Sequence, residues 1–267
     1  MQFGVIGFPV KHSLSPSIHN LWFKENNIQA QYHFLECEKI DDLESFVASL
    51  EEKNFAGANV TLPYKNAIFE ILNARGFEIS ETAELLKSVN TVDFRQKIAT
   101  NTDVHGFLQI CKVYEDDHVL VIGGGGVASS VIAACQISNP HANITITNRT
   151  IEKAQTISEN LMCDLYLGDI SKLDLSNFEI IINATSLGLN GEGLPLNYNT
   201  LRKTTKCYDT IYSPKMTPFL ESAKSRGCQI QNGAMMLVHQ AAKAFALWHD
   251  VKPSIDLGKK VMKDFLL

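Results

Sequence analysis

Along most of this chain, short apolar runs alternate with longer stretches in which apolar residues return every three or four positions. Runs of the first kind suit buried strands, and stretches of the second suit helices with one face against a sheet. Before residue 103 the pattern predicts strands over 3–7, 32–37 and 58–62, and a hairpin from 89–94 and 98–100. A first helix is predicted to open at Ser15-Pro16, with Ser15 as N-cap and Ile18, Leu21 and Trp22 as its apolar stripe. A second, over 41–54, carries Leu43, Phe46, Val47 and Leu50 on one face. A third runs from Pro63 towards Leu72, and a fourth covers 82–87 after Ser80-Glu81.

Beyond residue 103 the pattern predicts a helix over 106–114 and a polar link, 115–118. Strands follow at 119–122, 144–147, 180–183, 207–211 and 229–231. Helices are predicted over 127–138, from Thr217-Pro218 to Gly227, over 235–248 and from Ser254 onward. Strand and helix alternating in this way mark two α/β domains, the second a Rossmann-like, doubly wound nucleotide domain.

The interruption between 122 and 127 carries the first chemical information. Gly123, Gly124, Gly125 and Gly126 separate a strand from a helix that opens near Val127, and Gly123, Gly125 and Ala128 give the G-x-G-x-x-A spacing. In that context glycines let the backbone turn tightly and approach a pyrophosphate, while free amides at the helix start face the anion. The end of the following strand selects the nucleotide. An NAD site carries an acidic residue there for the ribose 2′-hydroxyl. This chain has Asn148-Arg149-Thr150, with Lys153 further on. A carboxylate would repel a 2′-phosphate, whereas a guanidinium can grip it through paired charge-assisted bonds, so NADP is favoured.

Composition narrows the class without naming the chemistry. With 267 residues, 45% hydrophobic and 20% charged, the chain has the make-up of an ordinary soluble globular protein. A net charge of −5 and the absence of any lysine or arginine run argue against nucleic acid or an anionic membrane as partner. No stretch reads as a signal peptide or membrane span, which leads us to expect a cytoplasmic protein. The six cysteines and eight histidines show no metal-ligand spacing, so reduced thiols and no metal are expected.

Several segments together resemble the NADP-dependent shikimate dehydrogenase family. Lys11-His12-Ser13-Leu14-Ser15-Pro16 with His19-Asn20 is similar to its substrate loop, and Asn59-Val60-Thr61-Leu62-Pro63-Tyr64-Lys65 to its N-V-T-x-P-x-K signature. Val89-Asn90-Thr91 and Asn101-Thr102-Asp103 match two further polar motifs. The glycine loop, Asn183-Ala184-Thr185, Asp209-Thr210-Ile211-Tyr212 and the segment 233–240 complete the set. Ser88, Ala99 and Ser213 depart from the commoner alanine, glycine and asparagine.

The resemblance implies reversible reduction of 3-dehydroshikimate to shikimate by NADPH. It implies a substrate domain from 1–103 plus 238–267 and an NADP domain over 104–237, with Lys65 and Asp103 as the catalytic pair. Ser13, Ser15, Thr61, Asn90, Tyr212 and Gln240 would join those two in holding the substrate. Gly123, Gly124, Gly125, Gly126, Val127, Asn148, Arg149, Thr150 and Lys153 would hold the cofactor, with Thr210, Gly233 and Glu81 nearby. A homodimer is compatible with the sequence, which does not choose between monomer and dimer. The competing readings are a quinate/shikimate dehydrogenase using NAD and a non-catalytic NADP-binding regulator. Asn148-Arg149-Thr150 argues against the first, and the joint presence of Lys65 and Asp103 against the second.

Overall fold

The apolar runs form the strands of two six-stranded sheets, one in each of two units. The computed structural model describes residues 1–266. Met1–Gly106 with Leu237–Phe265 make the first unit, and Phe107–Met236 the second.

In chain order the first unit contains β1 (Gln2–Gly7), α1 (Ser15–Glu25), β2 (Gln31–Glu36), α2 (Leu43–Glu52), β3 (Phe55–Val60) and α3 (Lys65–Ala74). It continues through β4 (Glu78–Ile79), α4 (Glu81–Leu86), β5 (Thr91–Asp93), β6 (Ile98–Thr100) and α5 (Asp103–Leu108). The sheet order is β2-β1-β3-β5-β6-β4. β1, β2 and β3 run parallel, and the predicted hairpin lays β5 antiparallel against β3 and β6. Ile6, Val60, Tyr64, Ile68, Leu72, Val92 and Ala99 belong to one buried cluster. An aromatic cluster joins Phe3, Trp22, Phe23, Tyr32, Phe245 and Trp248 around a fully buried His19. The His19 ring stacks on Tyr32 at 4.4 Å, and neither of its nitrogens has a partner. Burial first, and the nearby His249 second, push its pKa down to about 3.

The second unit contains β7 (His118–Ile122), α6 (Gly126–Ser138), β8 (Asn143–Thr147), α7 (Ile151–Leu161), β9 (Asp164–Leu165) and β10 (Ile180–Asn183). Then come β11 (Lys206–Asp209), α8 (Pro218–Ser225) and β12 (Gln229–Gln231). All pairings are parallel and the order is β12-β11-β10-β7-β8-β9, the doubly wound dinucleotide arrangement. Ile180, Ile181 and Ile182 are fully buried, as a central parallel strand covered on both faces requires.

Two C-terminal helices, α9 (Ala234–His249) and α10 (Ile255–Leu266), close the chain, and most of both belongs to the first unit. Trp248 Nε1 donates to the carbonyl of Val92 at 3.0 Å, and Trp22 Nε1 to that of Ser254 at 2.7 Å. These two bonds tie residues more than 150 positions apart into one unit.

Three local expectations need correction. Ser15 is not an N-cap: Leu14 holds that position, and the hydroxyl of Ser13 accepts the Ser15 N–H at 3.3 Å. The helix expected over 106–114 begins at Asp103 and ends at Leu108, because Asn101 Oδ1 accepts the Asp103 N–H and starts the turn earlier. The strand expected to reach Ile211 stops at Asp209, where the Asp209 carboxylate accepts the Ile211 N–H and bends the chain.

Candidate active site

Lys65 stands at the first position of α3, immediately after the extended segment that follows β3. Its side chain is 9% exposed, as is that of Asp103 at the first position of α5, and Lys65 Nζ donates to Asp103 Oδ2. A buried pair of this kind is retained only where hydrogen bonds satisfy the remaining atoms. Here Asn90 Nδ2 donates to the other carboxylate oxygen at 2.9 Å.

Asn90 is the hub of a larger buried network. Its Oδ1 accepts from the backbone N–H of Thr102 at 2.7 Å and from the hydroxyl of Thr91 at 2.9 Å. Its Nδ2 also lies 3.4 Å from Gln240 Oε1, which accepts from the Thr102 hydroxyl at 3.2 Å. Gln240 is therefore the partnered inward amide that its place in an apolar helix demanded. Behind Thr91, Asn59 Nδ2 donates to the Thr91 hydroxyl at 2.9 Å, and Tyr32 donates to Asn59 Oδ1 at 2.7 Å.

Lys65, Asn90, Asp103 and Gln240 are thus brought into one hydrogen-bonded group. Ser13 and Ser15 form a pair of their own, hydroxyl to hydroxyl at 3.2 Å. Thr61 lies beside Gly7, its methyl 2.5 Å from where a Cβ on that glycine would be. Glu81 is exposed at the start of α4. Among the described residues no side-chain hydrogen bond links Ser13, Ser15, Thr61 or Glu81 to the Lys65 group. His19 and Asn20, part of the loop motif, do structural duty: His19 fills the aromatic cluster, and the Asn20 amide pairs with the backbone of Tyr32. Sequence reasoning left out Tyr32, Thr91 and Thr102 as site residues. Tyr32 is the second residue of β2, Thr91 the first of β5, and Thr102 follows β6, so no shared local pattern marks them.

In the second unit, Gly123 adopts φ +141, and a Cβ there would lie 2.6 Å from the carbonyl oxygen of Ala184. Only glycine meets both demands. A Cβ on Gly124 would press on Asn148 Nδ2 at 2.6 Å, whereas one on Gly125 would meet nothing within 4 Å. Gly125 caps α6, so Gly126 and Val127 sit in its first turn, where amides have no acceptor inside the helix. Asn148 closes the adjoining turn by donating to the Thr150 carbonyl at 2.9 Å. Arg149, Thr150 and Lys153 are exposed after β8. Among the described residues neither Arg149 nor Lys153 is in an ion pair. A bare glycine turn at a helix start, with two unpaired cations at the next strand end, fits a dinucleotide bearing a 2′-phosphate.

Thr210 follows β11, and both its N–H (3.0 Å) and its hydroxyl (3.1 Å) donate to the Asn183 carbonyl. Gly233 is buried against it: a Cβ would fall 2.2 Å from the Thr210 carbonyl oxygen. Tyr212 is half-buried. The Asp209 carboxylate, pushed upward in pKa by burial, accepts from Thr217 at 2.6 Å, Asn183 at 3.1 Å and the Ile211 N–H. The motifs at 183–185 and 209–212 are therefore cross-linked strand ends.

Residues 5–92 match the family described as shikimate dehydrogenase substrate binding domain, and 107–189 that described as shikimate / quinate 5-dehydrogenase. Residues 233–263 match the shikimate 5′-dehydrogenase C-terminal domain. The chain is 36% identical over 270 residues to shikimate dehydrogenase (NADP(+)) of an Exiguobacterium species, covering 100% of this chain and 99% of that protein. It is similar to the crystal structure of shikimate dehydrogenase from Aquifex aeolicus, with TM-score 0.90, 30% identity and coverage of 99% and 98%. It is also similar to the Thermus thermophilus shikimate 5-dehydrogenase solved in complex with NADP(H) and shikimate, with TM-score 0.88, 28% identity and 99% coverage of each chain. Among the described residues no helix is long and apolar enough to cross a membrane.

Proposed function

This chain belongs to the shikimate dehydrogenase family, and on that premise we propose that it reversibly reduces 3-dehydroshikimate to shikimate with NADPH, using Lys65 and Asp103 to handle the proton. The observation that carries the reading is the buried Lys65–Asp103 pair, held by Asn90 within a network that includes Gln240.

NADPH, when bound, supplies a hydride to the carbonyl carbon. The oxygen of that carbonyl then needs a proton, and Lys65 Nζ supplies it in reduction and takes it back in oxidation. Asp103 Oδ2 holds the amine in place, and Asn90 holds Asp103 Oδ1, so the amine is presented in one orientation. Asn90 and Gln240, with Ser13, Ser15, Thr61 and Tyr212, offer the polar groups that a cyclic polyol carboxylate requires. Gly123, Gly124, Gly125, Gly126 and Val127 receive the pyrophosphate. Asn148, Arg149, Thr150 and Lys153 receive the 2′-phosphate end, and Thr210, Gly233 and Glu81 are assigned to the cofactor with them. The reading extends to a cytoplasmic setting, supported by five cysteines kept as free thiols in the apolar interior.

The test is an assay of shikimate and quinate, each with NADP and NAD, following the appearance of reduced nicotinamide. Shikimate with NADP should dominate. A well-folded protein that turns over none of the four pairs would refute the reading, and preference for quinate with NAD would redirect it.

A further inference from the structure

We propose that Thr91 is a positioning residue for this reaction, closing a one-way chain of hydrogen-bond donors that fixes the Asn90 amide and, through it, the Asp103 carboxylate. The proposal rests on the assignment of Lys65 and Asp103 to proton handling.

The argument is a count of protons. A hydroxyl has one to give, a side-chain amide has two on its nitrogen and none on its oxygen, and a carboxylate has none. Tyr32 donates its only proton to Asn59 Oδ1 at 2.7 Å, so the Asn59 nitrogen faces the other way. That nitrogen donates to the Asn90 carbonyl at 3.1 Å and to the Thr91 hydroxyl at 2.9 Å. Asn59 and Thr91 sit opposite each other in the β3–β5 register, which fixes the approach. Having accepted from Asn59, Thr91 points its own proton at Asn90 Oδ1, which at 2.9 Å is nearer than the Thr102 hydroxyl at 3.1 Å. The same Asn90 oxygen is reached by the Thr102 N–H at 2.7 Å and by the Thr102 hydroxyl at 3.2 Å.

With its oxygen claimed by these donors, the Asn90 amide can turn only its nitrogen towards Asp103 Oδ1. The second oxygen of Asp103 is left for Lys65. Every member from Tyr32 to Asp103 is buried, so a missing partner leaves a poorly hydrated polar group. A reversed Asn90 amide would set a donor against the donors of Thr91 and Thr102, and an oxygen against a carboxylate. Each bond in such a chain also polarises the next, and all of them point towards the Asp103 carboxylate. One consequence reaches the ligand. Gln240 Oε1 faces the Thr102 hydroxyl at 3.2 Å and the Asn90 amide nitrogen at 3.4 Å, so the Gln240 amide nitrogen is turned away from both and its protons stay available for the ligand.

Thr91→Val removes the one donated proton and keeps the shape of the side chain; Thr91→Ser keeps the proton. With shikimate and NADP, Thr91→Val should lower kcat about tenfold with the KM for NADP unchanged, while Thr91→Ser stays within about twofold of the parent. A merely structural threonine would change the melting temperature and the fraction of active protein but leave kcat per active site alone. Lys65→Ala is assayed beside them. If Lys65→Ala is inactive while Thr91→Val keeps the parent kcat, the positioning role is overturned and the proton assignment stands. If Lys65→Ala retains turnover, the proton assignment itself fails. Equal losses in Thr91→Val and Thr91→Ser would also overturn the role of the hydroxyl. Should Thr91→Val fail to fold, Thr91→Ala carries the same test, and a parent-level kcat there overturns the proposal.

Discussion

Replacing Lys65 with methionine keeps an unbranched side chain of similar length and deletes the charge that Asp103 faces. Both side chains are 9% exposed, so the stranded carboxylate is poorly hydrated. Breaking one half of a buried pair typically costs about 3–5 kcal/mol. The Asn90 donor to Oδ1 survives the substitution, and methionine is comfortable in apolar surroundings, which places the expected loss near the lower figure, about 3 kcal/mol. At about 3 °C per kcal/mol for a unit of this size, the melting temperature should fall by about 9 °C. The double variant Lys65→Met/Asp103→Asn removes both charges and keeps an oxygen for Asn90, so it should recover to within about 1 kcal/mol of the parent. Turnover should not recover with it. Both variants should lose at least about 100-fold in kcat, the scale of a missing general acid–base group. Thermal melts in one buffer and initial rates of NADP reduction by shikimate measure the two quantities separately. A double variant no more stable than the single one would refute the buried-charge argument. A single variant with near-parent rates would refute the proton role of Lys65.

Three further expectations follow from individual residues. Arg149→Ala removes the exposed guanidinium proposed to meet the 2′-phosphate, so kcat/KM for NADPH should fall about 10- to 100-fold with little change for NADH; an unchanged ratio would show that another group selects the nucleotide. Gly233→Ala places a methyl 2.2 Å from the Thr210 carbonyl oxygen, so a loss of about 3 kcal/mol is expected, and a parent-like melting curve would show that the crossing relaxes freely. His19 is held neutral in the fold with a pKa lowered to about 3, so the unfolded chain takes up a proton first as pH falls below 6.5. The stability present above pH 6.5 should therefore drop by about 2 kcal/mol at pH 5 and continue falling towards pH 3. Urea denaturation of His19→Phe should show a shallower acid slope, and an identical slope would exclude this histidine as the cause.

Much of this architecture is written locally. The nucleotide unit is legible because its strand, glycine turn and helix lie together within residues 118–138, and Gly123 has no substitute at its backbone angles. Lys65 is legible because the residues from Asn59 to Lys65 form one continuous motif. The pattern reading passes over α7, although its buried Ala154, Ile157 and Leu161 fall at helical spacing; what the pattern does not reveal at all is local structure without periodicity and partnership across distance. β4 and β9 have two residues each, too short for any alternation to register. Ser15 looks like a cap because a serine before a proline usually is one; the structure gives its N–H to Ser13 instead. The chain from Tyr32 through Asn59 and Thr91 to Asp103 draws on four separate segments, and each residue taken alone reads as an ordinary polar group.

The discontinuity of the first unit bears on how the protein is made. Its sheet is translated early, but Trp248, which donates to Val92, and Gln240, which accepts from Thr102, arrive only after the entire nucleotide unit has been synthesised. The inserted unit has every strand of its sheet within one unbroken stretch and can mature while its host is still waiting for the last helices. Ribosome-stalled chains in which residues 107–236 have emerged but α9 has not should therefore show protease protection of residues 107–236 and not of residues 1–106. Binding of shikimate should be the last property the nascent protein acquires.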